Sequence, residues 1–195
     1  MKVLKLSKKN QTSVIGEAIK VLQSGGTIVY PTETAYGLGA DFLNLSAAKK
    51  IYKIKGRNFK KPLSIIVSNL AMAKKTVIFN KISLELAKKY WPGALTLVLK
   101  SKKTTGKFIG LRISSNKIAS QIAKKLRCPI FATSANLSGK KECYSTKSII
   151  NQFVNNKYQP DLVIDAGKLL RQKVSTVVKV DGQRIEVLRK GQIII

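Results

Sequence analysis

Residues 27–40, TIVYPTETAYGLGA, constrain the fold more than any other stretch of the chain. Ile28, Val29 and Tyr30 favour a β-strand. Pro31 should end the strand, because proline cannot donate to a strand ladder. A loop of hydroxyl side chains follows, with one carboxylate and two glycines that permit positive φ and a close ligand approach. At the carboxyl end of a buried strand, such a loop predicts a small-molecule site, with an ordinary strand-to-helix connection as the alternative.

Apolar periodicity along the rest of the chain predicts alternating helices and strands. Helices are predicted at 13–24, 46–55, 83–90, 116–126 and 145–153. Strands are predicted at 28–30, 63–67, 95–99, 109–113, 129–131, 162–164, 177–180 and 184–189. Asp181-Gly182 predicts a hairpin turn between the last two strands. The order favours one α/β domain over residues 1–195, with a twisted mixed parallel and antiparallel sheet flanked by helices.

The absence of histidine limits the chemistry that this chain can perform. It excludes Ser-His-Asp and Cys-His nucleophile systems and any histidine-based metal site. Cys128 and Cys143 are too few for a four-thiolate zinc site or a disulfide framework, so no protein-held metal is predicted and a reducing cytoplasm is expected. No apolar run approaches the ~20 residues of a membrane span, so no membrane association is expected either.

The basic residues carry a second signal. The formal net charge is +28, yet 31 of the 37 basic residues are lysines spread along the chain, as on a solvated surface. Arginine has a planar fork that suits carboxylate and phosphate, and lysine does not replace it there. Arg57, Arg112 and Arg189 stand beside loop motifs and are candidate ligand contacts, with a surface role as the alternative.

Two further stretches share this chemistry. Lys55-Gly56-Arg57 follows a predicted helix, where two cations could converge on one anion, or merely cap a helix end that favours positive charge. The segment 133–139, TSANLSG, is a second loop rich in hydroxyls and amides at a strand end. Hydroxyls, amides and cations with almost no carboxylate fit a polyanionic nucleotide. Neither a Walker A loop nor a G-x-G-x-x-G motif is present.

Seven stretches together resemble the YrdC/Sua5 family, and specifically its short, TsaC-type threonylcarbamoyl-AMP synthases. They are YPTETAYGLGAD (30–41), KGR with KPL (55–57 and 61–63), WPGALTLVL (91–99), GLRIS (110–114), ATSANLSG (132–139), STVV (175–178) and LRKG (188–191). They occur in family order and span nearly the whole chain. The resemblance implies a YrdC/RibB-like fold with a basic concave cavity.

The resemblance also implies a reaction, in which L-threonine, bicarbonate and ATP give threonylcarbamoyl-AMP and pyrophosphate. A downstream transferase complex would use the product for N6-threonylcarbamoyladenosine in tRNAs that read codons beginning with A. By analogy, Lys55 and Arg57 would be catalytic. The implied ATP contacts are Lys55, Arg57, Ser134, Asn136 and Arg189, and the implied threonine contacts are Thr32, Tyr36, Arg112 and Ser175. Mg²⁺ would arrive with ATP, and Glu33 is expected to be structural, held by neighbouring N–H groups.

The sequence departs from the family in three places. Asn58 stands where many members have proline, and Ile66 where longer relatives that read PLIVH have histidine. The C-terminal domain of the longer relatives is missing, so the basic loop 168–173 or the polar loop 101–107 is the candidate lid.

Two other functions fit parts of the sequence. The high charge and the basic concave face of family members favour a protein that binds tRNA or double-stranded RNA without catalysis, with an affinity that falls steeply with salt. A carbamoyl transferase is the other alternative, because a related domain handles carbamoyl-adenylate in a hydrogenase-maturation protein. That domain sits in a longer chain with paired zinc-finger-like cysteines, which this sequence lacks.

Overall fold

A computed structural model describes all 195 residues of the protein. The strands are β1 (Lys2–Lys5), β2 (Thr27–Pro31), β3 (Tyr36–Ala40), β4 (Ser64–Ile66), β5 (Leu95–Lys100), β6 (Phe108–Arg112), β7 (Ile130–Ser134), β8 (Leu162–Asp165), β9 (Thr176–Asp181) and β10 (Arg184–Arg189). The helices are α1 (Gln11–Gln23), α2 (Leu45–Lys55), α3 (Leu70–Thr76), α4 (Lys81–Tyr90), α5 (Lys117–Leu126) and α6 (Thr146–Phe153). The predicted elements are confirmed within a few residues, while β1 and α3 were not predicted.

The ten strands form one sheet in the order β1-β8-β2-β3-β7-β4-β6-β5-β9-β10. Four neighbouring pairs are parallel and five are antiparallel, which confirms the predicted mixed sheet. The prediction for residues 36–40 was wrong. They form strand β3, paired antiparallel with β2, so that the polar loop is only the short turn 32–35 between the two.

The glycines of β3 also serve another purpose than the predicted one. Neither Gly37 nor Gly39 has a positive φ. A β-carbon at Gly39 would lie 2.8 Å from the Tyr30 ring and 2.6 Å from the Phe131 carbonyl oxygen. The glycines are therefore needed because the aromatic ring of β2 lies across β3, where a side chain would collide with it.

Alternate residues of the strands pack on opposite faces of the sheet, as the pleat requires. One face packs against α1 and α5 through Ile28, Tyr30 and Ile130. The other face packs against α2 and α6 at one end of the sheet and against α3 and α4 at the other. Ser64, Thr96 and Gly110 belong to none of these hydrophobic clusters, and a cavity opens in this part of the sheet.

Helix termini follow local rules, with one correction to the predicted caps. Asn116 and Ser145 cap α5 and α6 as predicted, and Gly56 ends α2 with a φ of 58°. Ser46, however, does not cap α2. The Asn44 side chain accepts the Ala47 N–H instead, one of the strongest cap geometries. No helix combines the length and the apolar character that crossing a membrane would require.

Candidate functional site

Two adjoining cavities lie on the partly uncovered face of the sheet. The first, here called the hairpin cavity, lies beside the β2–β3 turn and encloses about 870 Å³ up to its open mouth. The second, the loop cavity, encloses about 650 Å³ and is lined only by residues from segments 55–61 and 134–139, none of them hydrophobic. Arg57 and Ser134 line both cavities, so the two are continuous at that point.

All nine predicted site residues line one cavity or both. Thr32, Tyr36, Arg112, Ser175 and Arg189 line the hairpin cavity, Lys55 and Asn136 line the loop cavity, and Arg57 and Ser134 line both. Residues that are up to 157 positions apart in sequence therefore meet in one place. Their individual roles toward ligands stay predictions.

The three arginines differ in the donors they leave free. Arg57 donates Nε to the Lys61 carbonyl at 3.3 Å and Nη2 to the Pro62 carbonyl at 3.2 Å. Arg189 donates Nε to the Ser175 carbonyl at 3.0 Å and Nη2 to the Ser175 hydroxyl at 2.8 Å. In both, the edge that could grip a carboxylate with two parallel bonds is already occupied. Each can still offer Nη1 to a single anionic oxygen.

Arg112 keeps that edge. Its Nη1 lies 3.0 Å from Oε1 of Glu33, and it makes no hydrogen bond to any other protein group. The free Nε and Nη2 can therefore bind a carboxylate through both oxygens, the geometry in which arginine differs most from lysine. Burial lowers the pKa of Arg189, and the nearby Arg112 charge lowers it further. Two like charges thus face the same cavity, and an anion between them would be stabilised.

Glu33 supports Arg112 from outside the cavity lining. Its other oxygen, Oε2, accepts a hydrogen bond from the Ser114 hydroxyl. The expectation that backbone N–H groups hold this carboxylate was wrong, because its partners are two side chains. Oε1 has no well-directed hydrogen bond despite its 3.0 Å distance to Arg112, so that contact is ionic rather than a formed N–H···O bond.

Lys55 is only 3% exposed and holds the second loop together. Its ammonium donates to the Ser134 carbonyl, to the Asn136 carbonyl at 2.6 Å and to the Asn136 side-chain oxygen at 3.2 Å. Burial, and then the charge of Arg57, lower the pKa of Lys55 to about 8. All three donors of the ammonium are therefore directed at protein oxygens, which makes Lys55 a brace for the loop that carries Ser134.

Asn136 completes the same brace. Its amide nitrogen donates to the Leu137 carbonyl at 3.0 Å and to the Lys140 carbonyl at 2.6 Å. The Ser134 hydroxyl, in contrast, has no partner within the protein and lines both cavities. Among the residues of this loop that were predicted to bind ATP, Ser134 is the one with a free side-chain donor.

Hydroxyls in the hairpin cavity are also partly committed to the framework. The Thr32 hydroxyl donates to the Ala35 carbonyl at 2.6 Å and closes the β2–β3 turn. The Tyr36 hydroxyl donates to the Gly167 carbonyl at 2.8 Å and accepts the Ala166 N–H at 2.9 Å, which anchors the start of the loop at 168–173. Tyr36 thus lines the cavity as predicted, while its hydroxyl is engaged elsewhere.

Sequence reasoning missed several residues of the site. Ser64 and Thr96 line the hairpin cavity from β4 and β5, and strand alternation placed opposite the apolar residues could have identified them. Tyr30 also lines the cavity, and its hydroxyl is buried without a partner. Glu142 is the one carboxylate that lines either cavity, and no pattern in the sequence singles it out.

Comparison with known proteins agrees with this geometry. A family model for Sua5, YciO and YrdC proteins, described as "Telomere recombination", matches residues 20–191. The chain belongs to this family. A Methanocaldococcus jannaschii family member is 34% identical over 198 residues, which cover 99% of this chain and 93% of that protein. A threonylcarbamoyl-AMP synthase of Psychromonas ingrahamii is 34% identical over 79% of this chain and 85% of its own length.

A solved family structure extends the agreement to three dimensions. P. abyssi Sua5, crystallised with L-threonine, superposes with a TM-score of 0.89 at 28% sequence identity. The match covers 98% of this chain and 58% of that one, so the present chain spans little more than half the length of this Sua5 protein. The α/β architecture predicted from the sequence is thereby confirmed.

Proposed function

We infer that this protein is a threonylcarbamoyl-AMP synthase, an enzyme that joins L-threonine, bicarbonate and ATP into threonylcarbamoyl-AMP and pyrophosphate for tRNA modification. The observation that carries this conclusion is the pair of continuous cavities. One presents a free two-donor arginine edge suited to a carboxylate, and the other is wholly polar and cationic. An amino acid and a polyphosphate can therefore be held side by side, with Arg57 and Ser134 at the junction.

In the proposed reaction, Arg112 binds the threonine carboxylate and so orients the amine toward bicarbonate. The amine attacks the bicarbonate carbon, a C–N bond forms and water leaves. An oxygen of the resulting carbamate then attacks the α-phosphorus of ATP, the bond between the α-phosphorus and its bridging oxygen breaks, and pyrophosphate departs with the electron pair. Every reactant is anionic, so the protein's contribution is orientation and charge stabilisation, consistent with a site without histidine.

Arg57 and Ser134 are proposed to act where the two substrates meet. The Arg57 Nη1 and the Ser134 hydroxyl have no protein partner, so both can donate to the oxygens on which charge accumulates during adenylation. Lys55 and Asn136 are proposed to hold Ser134 in place, which modifies their predicted role as direct ATP contacts. Ser175 is proposed to act through Arg189.

Magnesium is proposed to enter with ATP. No group of three or more acidic, histidine or cysteine side chains could hold a metal, but Glu142 lines the cavity and could supply one carboxylate. Mg²⁺ usually binds phosphates together with one or two carboxylates, so this donor set fits a metal carried by the nucleotide. When bound, it would neutralise phosphate charge.

The product is proposed to pass to a tRNA threonylcarbamoyl-transferase complex in the cytoplasm. An omission assay tests the reaction itself. Pyrophosphate release and the mass of the adenylate are measured with each of L-threonine, bicarbonate and ATP left out in turn. All three should be required, and pyrophosphate release that is independent of threonine would refute the proposal. RNA affinity without any adenylate would support the non-catalytic alternative.

A further inference from the structure

The Glu33–Arg112 pair differs from every other ion pair in the molecule. The side chains of Arg112 and Glu33 are 11% and 13% exposed, whereas those in the other three pairs are 36% to 76% exposed. Surface pairs contribute little to stability, while a buried charge left without its partner is costly. With 9 acidic and 37 basic residues in the chain, a carboxylate placed behind a cavity arginine is unlikely to be replaced by another acid nearby.

The pair is fixed in orientation by its surroundings. The Ser114 hydroxyl donates to Glu33 Oε2, and the Asn116 N–H donates to the Ser114 hydroxyl oxygen at 3.2 Å. Ser114 is only 2% exposed. This chain of contacts holds Glu33 against Nη1 of Arg112, which leaves the opposite edge of the guanidinium, Nε and Nη2, for the cavity.

Charge distinguishes Arg112 from the other cavity arginines as well. Arg57 and Arg189 bind only carbonyl and hydroxyl oxygens, so each keeps its full positive charge. The charge of Arg112 is offset by Glu33. A phosphate group near Arg112 would therefore meet a neutralised pair and the repulsion of a nearby carboxylate, while a monoanionic carboxylate still gains two parallel hydrogen bonds.

We propose that Glu33 is a positioning residue that reserves the Arg112 edge for a carboxylate and keeps phosphate groups out of that part of the hairpin cavity. The proposal rests on the proposed function, in which an amino acid and a polyphosphate occupy adjoining cavities. It assigns to Glu33 a selectivity that the amino acid alone cannot provide, because its carboxylate and the pyrophosphate are both anions that arginine binds.

The test uses Glu33→Gln, which removes the charge at nearly constant shape, with Glu17→Gln as the control because Glu17 belongs to a surface ion pair. L-Threonine and pyrophosphate affinities are measured separately by calorimetry, and each is then measured in the presence of the other. In Glu33→Gln, threonine affinity should fall roughly tenfold to a hundredfold, as for other misaligned binding groups. Pyrophosphate should begin to compete with threonine in this variant, and should not compete in the parent protein or in Glu17→Gln.

A third variant separates charge from geometry. Glu33→Asp keeps the charge but shortens the side chain, so threonine affinity should fall while pyrophosphate still does not compete. Equal losses of threonine and pyrophosphate affinity in Glu33→Gln, or an unchanged competition pattern, would overturn the proposal. If Glu33→Gln does not fold, as judged by circular dichroism, Ser114→Ala takes its place, and it should weaken threonine binding in the same direction but by less. An unchanged threonine affinity in Ser114→Ala would also overturn it.

Failure of the proposed function gives a different result. The parent protein would then form no adenylate in the omission assay, whereas the calorimetric comparison of a carboxylate with pyrophosphate would still decide the role of Glu33.

Discussion

The two cavities use similar residues in opposite ways. In the loop cavity, the buried Lys55 and Asn136 direct their donors at the oxygens of their own loop. In the hairpin cavity, Arg112 is braced by a carboxylate on one side and keeps a free edge on the other. The contrast shows that a conserved-looking cation next to a ligand cavity can serve as framework or as ligand contact. Only the accounting of its donors distinguishes the two.

The largest expected effect comes from breaking the hairpin cavity alone. A β-carbon at Gly191 would lie 2.2 Å from the Val174 carbonyl oxygen, so Gly191→Ala must displace the segment that carries Ser175. We expect a loss of about 3 kcal/mol in the free energy of unfolding, as in overpacked interiors. Threonine affinity should fall far more than ATP affinity, because no residue of segment 174–191 lines the loop cavity.

The matched control is Gly16→Ala in helix α1. A β-carbon there meets nothing within 4 Å, so this variant should gain about 0.5–1 kcal/mol from helix propensity. Urea unfolding and calorimetric titration of each ligand provide the measurements. An equal loss of both ligands in Gly191→Ala would show that the cavities are not separable.

Removing the shared arginine should affect both ligands. Arg57→Ala takes a donor from the junction of the cavities, and adenylate formation should fall about a hundredfold, a typical cost of removing one transition-state donor. Lys60→Ala is the control, since Lys60 lies in the same loop, is exposed and lines neither cavity. Steady-state kinetics of pyrophosphate release would contradict the junction role if only one substrate's KM changed.

A pH titration should affect mainly the loop cavity. Because burial lowers the Lys55 pKa to about 8, its charge is lost above that pH, and ATP affinity should fall by roughly tenfold per pH unit beyond this midpoint. Threonine affinity should change less over the same range. Calorimetric titrations between pH 7 and 10 measure both.

This loss should not reflect unfolding. Between about pH 8 and the ordinary lysine value of 10.5, the unfolded chain holds more protons than the folded chain at this residue. The contribution of Lys55 to the free energy of unfolding therefore rises with pH across that window. Thermal melts at each pH provide the check, and an ATP affinity that is flat across pH 8 would remove Lys55 from the nucleotide site.

The smallest expected effect concerns the two tyrosines of the hairpin cavity. The Tyr30 hydroxyl is buried without a partner, and burial raises its pKa, so Tyr30→Phe should stabilise the fold by about 1 kcal/mol. The Tyr36 hydroxyl makes two hydrogen bonds, so Tyr36→Phe should destabilise it by about 1 kcal/mol or more. Urea unfolding of both variants sets the sign, and equal signs would contradict the assignment of partners.

Much of this architecture could be predicted from local signals. Apolar periodicity identified five helices, and Asn116, Ser145 and Gly56 ended helices where cap chemistry requires. The short helix α3 was missed because seven residues carry too little periodicity. Strand β1 was missed because its side chains are mostly exposed, which removes the alternation on which a strand prediction depends.

The site was predictable as a set but not as an arrangement. The motifs indicated which residues meet, yet Gly37 and Gly39 were interpreted as flexible loop positions, whereas their small size is what the Tyr30 ring requires. The partners of Glu33 also could not be inferred, since Ser114 lies 81 positions away and becomes a neighbour only through the β4–β6–β7 order. Long-range contacts of this kind leave no local trace.

The tail of the chain crosses the beginning of β9, where the Gln192 N–H donates to the Val174 carbonyl and the Ile193 N–H donates to the Thr176 hydroxyl. Residues from Tyr30 to Ile193 must therefore have found one another before the hairpin cavity has its walls. A partly folded chain that lacks this crossing has no place for a ligand. Occupancy of that cavity thus reports the final step of folding, and a bound ligand would stabilise only the finished molecule.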